Sequence, residues 1–212
     1  WDDELPSDLQ QAWVHFQQHL EPLRYLQIPR AAVHTSIHNV QLHVFCDPAE
    51  KEYGACCYFR NDNDEENITS QLLTSKLKIA PLSHKLTIAQ LELCAAKLGI
   101  DLFAKVKEAI PTFSNFYFWT DSMIVYHWLQ SPQSWKTCVV NRVSHIQRVT
   151  KGFSWRHITG CDNPAERAPD SVSRGCFGSE LINDTKWWQC PTWLPCSDNF
   201  WPLIPTVQER RC

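Results

Sequence analysis

Val40-Gln41-Leu42-His43-Val44-Phe45-Cys46-Asp47 changes its chemistry at every second residue and ends on an acid. Val40, Leu42, Val44 and Cys46 alternate with Gln41, His43, Phe45 and Asp47, which predicts a strand. Phe116-Tyr117-Phe118-Trp119-Thr120 predicts a second, buried strand, and it too ends on an acid, Asp121. Outward from the first strand, Tyr53 to Arg60 and Ile68 to Leu77 read as two more, separated by the polar run from Asn61 to Asn67. Three successive strands with short links predict an antiparallel meander.

Between the meander and Phe116 the period becomes helical. Leu86, Ala89, Leu93, Ala96, Ile100 and Phe103 form one stripe from about Thr87 to Ala109, and Leu91, Leu98 and Leu102 add a second. A helix apolar over so much of its girth is expected to lie against the sheet. Ser122 to Leu129 predicts a short helix, and Trp135, Val139, Val143, Ile146 and Val149 mark another. Gly152 ends it, and Phe153 to Ile158 predicts a fifth strand, followed by a short helix around Asp170 to Arg174. The order is β-β-β-α-β-α-α-β, an α/β chain with a five-stranded mixed sheet. Ahead of it, Leu9, Trp13, Phe16 and Leu20 predict a helix with an apolar face that must dock on something. Ser7 and Gln10 have capping-box spacing at its start. The stretch after Gly175, rich in Trp, Pro and Cys, is expected to wrap the core.

Hydrophobic residues make up 43% and charged residues 20% of the 212, which excludes wholesale disorder. No apolar run reaches the ~18 residues of a membrane span, so no membrane partner is expected. The net charge of -3 supplies no bulk field for nucleic acid, so any such binding needs a local basic face. The ten Cys include no CxxC pair and read as buried thiols in a reducing compartment. The one Met is Met123 and the chain opens on Trp1, so it is expected to be a piece of something longer.

The acids carry the chemistry. Asp47 and Asp121 end strands that could be neighbours in a mixed sheet. Glu92 sits in the long helix, on a face with Ile88, Ala95 and Gly99 that lets the helix come close. Asp162, Glu166 and Asp170 follow the fifth strand. Carboxylates converging without matching Arg or Lys repel, and a divalent cation resolves the repulsion. An all-oxygen set favours Mg2+ or Mn2+ over Zn2+. Two such ions clamp the attacking and leaving oxygens of a phosphodiester displacement.

The local wording adds a resemblance. Phe45-Cys46-Asp47-Pro48-Ala49 with Tyr53-Gly54-Ala55, Leu91-Glu92-Leu93-Cys94-Ala95-Ala96, Trp119-Thr120-Asp121-Ser122, Trp155-Arg156-His157, Asp162-Asn163-Pro164-Ala165 and Ser173-Arg174-Gly175 resemble the ribonuclease H region of BEL/Pao retrotransposon polyproteins. Trp1-Asp2-Asp3 and Ile28-Pro29-Arg30 resemble the segment joining reverse transcriptase to it. Trp187-Trp188 and Pro191-Thr192-Trp193-Leu194 resemble the stretch leading towards integrase. The resemblance implies a ribonuclease H-like fold and a division into a helical connection segment (1–37), the nuclease domain (38–176) and a C-terminal extension (177–212). It implies metal-dependent cleavage of the RNA strand of RNA–DNA hybrids, with two Mg2+ or Mn2+ ions on Asp47, Glu92 and Asp121. It also implies reverse transcriptase and integrase portions as polyprotein partners, and an intracellular setting, cytoplasm or virus-like particle.

The fourth acid is open between two residues, because the run from Asn163 to Ser173 is longer here than in the family. Spacing from the fifth strand favours Glu166. Spacing back from Ser173 favours Asp170, with Pro169 at a first helical position, and the proline rule tips the expectation to Asp170. A hybrid is gripped by its backbone, which asks for donors near the acids. Ser122, Lys136, Asn141, Arg142, Lys151 and Arg156 are the candidates. Two other readings stand beside the nuclease: a decayed tether or nucleic-acid-binding module, supported by the altered last acid, and an aspartic peptidase, for which no Asp-Thr-Gly or Asp-Ser-Gly exists.

Overall fold

The computed structural model describes residues 5–28, 40–49, 51–61, 68–82, 85–111, 113, 115–130, 137–167 and 176–203. Helix α1 (Ser7–Leu20) is followed by a 3-10 turn, Glu21–Tyr25. Strands β1 (Val40–Pro48), β2 (Glu52–Asn61) and β3 (Thr69–Ile79) precede helix α2 (Ile88–Ala109). Then come β4 (Asn115–Thr120), α3 (Met123–Gln130), α4 (Thr137–Val149) and β5 (Ser154–His157). This is the expected order. The helix expected around Asp170 lies outside the described residues. None of the described helices is long and apolar enough to cross a membrane.

The sheet runs β3-β2-β1-β4-β5. The first three strands are antiparallel, whereas β4 pairs parallel with β1 and β5 parallel with β4. Helix α2 starts where its caps allow. Thr87 Oγ1 accepts from the Gln90 N–H and the Gln90 side chain accepts from the Thr87 N–H, satisfying two donors that the first turn leaves over. Its inward residues, from Leu93 and Ala96 to Phe103 and Val106, meet Leu42, Val44, Cys57 and Phe59 in the main core. Gly99 sets the approach. A Cβ there would lie 2.4 Å from Cys46 Sγ and 3.2 Å from Val44 Cγ1.

Although apolar and polar residues alternate along β1, Val40 to Asp47 are all buried. The reason is a second core on the opposite face. The C-terminal segment lays Cys190, Leu194 and Trp201 over Phe45, Cys56, Tyr58 and Trp119. Two polar side chains buried on that face, Arg60 and His43, are paired. Arg60, 1% exposed, donates from Nε to the Leu194 carbonyl at 2.8 Å and from Nη2 to that of Cys196 at 2.9 Å. His43 accepts from Trp119 Nε1 at 3.1 Å through Nδ1, so its proton sits on Nε2, facing Gln41 Oε1. Burial first, then the Arg60 and Arg156 charges, holds His43 well below its ordinary pKa and keeps it neutral.

One expectation needs correction, at the start of α1. It starts at Ser7 with Pro6 as N-cap and no side-chain cap, so Ser7 is already inside the helix and the expected box does not form. The helix buries none of its residues. Leu9, Trp13 and Phe16 are about half exposed, and contact with the body runs through a flank, where His19 packs on Phe177 with ring centroids 4.0 Å apart.

Gly99→Ala should destabilise the chain by about 1–3 kcal/mol, since a methyl has no room against β1. Urea unfolding measures it. Adding Cys46→Ala should recover part of the loss by removing the nearer obstacle, and no recovery would mean that the Val44 contact dominates.

Candidate metal-binding acidic site

The pairing of β1 with β4 brings the strand-end acids together. Cys46 opposite Thr120 is the last registered pair, so Asp47 and Asp121 come next on adjacent parallel strands. Their carboxyl groups face each other within hydrogen-bonding reach. Asp47 is only 7% exposed. Burial raises its pKa most, the Asp121 charge and the contact with it add to this, and Glu92 and Glu166 contribute further, to about 9. Glu92, half-buried on α2, is pushed up to about 7 by burial and by the Asp121 charge, and a hydrogen bond with Ser122 opposes part of the rise.

The residues suit a hard cation. Among the described residues no Lys or Arg forms an ion pair with Asp47, Glu92 or Asp121. Asp121 Oδ1 is buried without a hydrogen-bond partner. An anionic oxygen left unpaired at depth is costly, and an all-carboxylate donor set matches Mg2+ or Mn2+. Among the described residues no three of His, Cys, Asp and Glu close into a finished ligand shell. Asp47 and Asp121 touch, while Glu92 and Glu166 stand beside them. The long Glu side chains have the torsional freedom to swing in.

The segment after β5 reaches this site. Gly160 passes Asp121, where a Cβ would lie 3.4 Å from Oδ2. Asn163, fully buried, donates from Nδ2 to the Cys46 carbonyl at 3.0 Å and, more weakly, to Asp47 Oδ1 at 3.4 Å. Its Oδ1 accepts from the Ala165 N–H at 3.1 Å, capping a 3-10 turn Pro164–Glu166 with proline at its start. Of the two competing fourth acids, Glu166 is therefore in electrostatic reach of Asp47. Asp170 lies outside the described residues. Asp162 is engaged elsewhere, accepting from Thr159 Oγ1 at 2.8 Å. His157 is the last residue of β5, one short of the expected Ile158, with Nε2 3.0 Å from the Asp121 carbonyl oxygen.

The candidate substrate donors do not share one surface. Ser122 is buried. Its Oγ accepts from the Val125 N–H at 3.2 Å to start α3, and its hydroxyl meets Glu92, so it orients an acid instead of facing solvent. Arg156 stacks over Tyr117, Trp119 and Trp201 at 5.3, 5.6 and 5.1 Å, because strand alternation turns it onto the second core. Lys151 is exposed but precedes β5, at the end of the sheet remote from Asp121. Asn141 is exposed, and Arg142 influences Tyr53, which pairs with Pro48 beside Asp47. Lys136 lies outside the described residues. Sequence reasoning missed Asn163 as a brace. Its signal was an Asn before a proline in a loop, which is common in turns that brace nothing.

Comparison with known proteins follows the same lines. A family model described as Pao retrotransposon-like RNaseH-like domain matches residues 1–122, which include Asp47, Glu92 and Asp121. The chain is similar to the N-terminal RNase H domain of a Mycobacterium tuberculosis protein solved as a maltose-binding-protein fusion. Identity there is 13%, over 64% of this chain and 97% of that one, with a TM-score of 0.45. RNase H1 from the halophilic archaeon Halobacterium salinarum gives 12% identity over 64% and 98%, with a TM-score of 0.42. A foamy viral protease–reverse transcriptase in complex with RNA/DNA hybrid gives 9% over 82% and 27%, with a TM-score of 0.39. No curated protein matches the chain by sequence.

The raised carboxyls have a stability consequence. Asp47 takes up its proton more readily folded than unfolded, so its stabilising contribution is complete below its ordinary value of 3.8 and is lost as pH rises towards about 9. In metal-free buffer, thermal stability should decline between pH 7 and 9, a window above the titration of unfolded His. Asp47→Asn should flatten that decline and raise the midpoint at pH 8 by a few degrees, about 1 kcal/mol. A steeper decline in the variant would contradict the charge repulsion.

Proposed function

The chain belongs to the Pao retrotransposon RNase H-like family, and from that premise we propose that it is an endonuclease hydrolysing the RNA strand of RNA–DNA hybrids during reverse transcription. The observation that carries the reading is the pairing of buried Asp47 with half-buried Asp121, with a buried, unpartnered oxygen on Asp121 and no cationic residue against it among those described. Asp47, Glu92, Asp121 and either Glu166 or Asp170 would hold two Mg2+ or Mn2+ ions. When bound, these supply charge stabilisation at the attacking and leaving oxygens of a phosphodiester. The chain's own residues do the positioning. The sheet fixes Asp47 and Asp121, the Ser122 hydroxyl orients Glu92, and Asn163 braces the Asp47 end of β1.

Substrate grip falls to backbone contacts, because a hybrid is read by shape and 2′-OH groups. Asn141 and Arg142 on α4 are the described candidates, with Lys136 ahead of them in the sequence. Neighbouring reverse transcriptase and integrase portions of a polyprotein are the expected covalent partners. The decayed tether is the weaker reading. Carboxylates held together at this depth cost stability, and a tether has no use for them.

A hybrid carrying a labelled RNA strand tests the function directly. Cleavage should require Mg2+ or Mn2+ and stop with a chelator. Asp121→Asn should lose more than the about 10–100-fold that follows loss of an outer-shell partner. Glu166→Gln and Asp170→Asn, compared side by side, identify the fourth acid by the larger loss. Cleavage that persists in chelator, or an Asp121→Asn variant as fast as wild type, would sink the reading.

A further inference from the structure

Glu166 differs from the other acids in what holds it. Asp47 stands on β1, Asp121 directly follows its partner strand β4 and Glu92 stands on a long helix, but Glu166 sits on a loop with only the short 3-10 turns Gly160–Asp162 and Pro164–Glu166. A site needs its groups held to about half an ångström, which such a loop does not achieve alone. Here the loop is held from outside. Arg167 Nε lies 3.3 Å from Asp184 Oδ2, and the Lys186 ammonium donates to the Cys161 carbonyl. The two contacts sit on either side of Asn163-Pro164-Ala165-Glu166. Between them Ala165, fully buried, packs in the second core with Leu194 and Trp201.

The segment that supplies these contacts is itself anchored to the sheet. Asp184 Oδ1 accepts from the Trp187 N–H at 3.0 Å and starts the short helix Thr185–Gln189. The Tyr58 hydroxyl on β2 donates to the Trp187 carbonyl at 2.5 Å. Further along, Arg60 grips the carbonyls of Leu194 and Cys196. A continuous chain of contacts thus runs from β2, through the C-terminal segment and the loop, back to Asp47 on β1.

We propose that Asp184 and Lys186 are positioning residues of the acidic site: the C-terminal segment straps the loop after β5 and sets Glu166 against Asp47. The proposal rests on reading the acids as metal ligands. It makes the segment from Gly178 to Trp201 a working part of the nuclease unit and not only a lead towards the next domain.

The test uses the whole chain with Asp184→Asn and Lys186→Met combined. Asn keeps the helix cap and removes the charge facing Arg167. The Arg167–Asp184 pair is partly exposed and modest by itself, so both contacts are removed together. Mn2+ affinity, measured by titration, should weaken about tenfold, while the metal-free thermal midpoint stays near wild type. In a Glu166→Gln background the same pair should weaken Mn2+ binding no further, because it acts through Glu166. If the combined variant lowers the midpoint, Asp184→Asn alone is read the same way. Unchanged affinity in the first background, or an equal further loss in the second, overturns the proposal, and a merely structural role predicts that equal loss. A wild-type chain that binds Mn2+ but leaves hybrids intact counts against the nuclease reading, and the two affinities still decide this one. A wild-type chain that takes up no Mn2+ overturns both.

Discussion

Parallel pairing of β1 with β4 is the constraint on which the candidate site depends. Its register ends at Cys46 opposite Thr120, and the next residue on each strand is an aspartate. Neighbouring strands lie about 4.8 Å apart, so the two carboxylates have no freedom to separate without breaking the sheet. Backbone hydrogen bonds across the core thereby hold in place a charge repulsion that the side chains would otherwise relieve.

Holding that repulsion requires the sheet to be stiff on both faces. On one face α2 lies close because Gly99 presents no Cβ to Cys46 and Val44. The same close approach brings Glu92 to the acid end. On the other face the Trp- and Cys-rich C-terminal segment supplies the second core, with Arg60 buried between its carbonyls and the Trp201 ring. A buried guanidinium is tolerable only with its donors engaged, so Arg60 ties the segment's path to the sheet. Neutral His43 fits the same logic, since a third cation beside Arg60 and Arg156 would not be tolerated there.

The site's chemistry follows from burial acting on like charges. Asp47, more buried than Glu92 and in contact with Asp121, has the larger rise, and Glu92, nearer solvent and helped by Ser122, has a smaller one. Groups placed this way stay partly protonated near neutrality without a counter-charge and are poised to give up protons to a divalent ion. The hydrogen bonds of Asn163 and Ser122 act on position and leave the carboxylates' own lone pairs largely available.

Much of this was legible in the sequence, for local reasons. Period-two and helical spacing reflect which side chains share a face, and the element order from β1 to β5 followed from them. Asp47 and Asp121 stood out because an acid closing an apolar strand is a local event, and Gly99 because it shares a helix face with Glu92. What the pattern could not carry was anything set by a partner far along the chain. The alternation in β1 did not reveal what covers its second face, because that cover comes from Leu194 and Trp201. Arg156 and Ser122 looked like substrate donors, because side-chain type does not reveal that one turns onto aromatic rings and the other caps a helix. Asn163, Asp184 and Lys186 carry no local signature of their contacts. Local periodicity is written in neighbouring residues, whereas burial on a second face and ion pairing depend on which distant segments meet, and only the folded chain decides that.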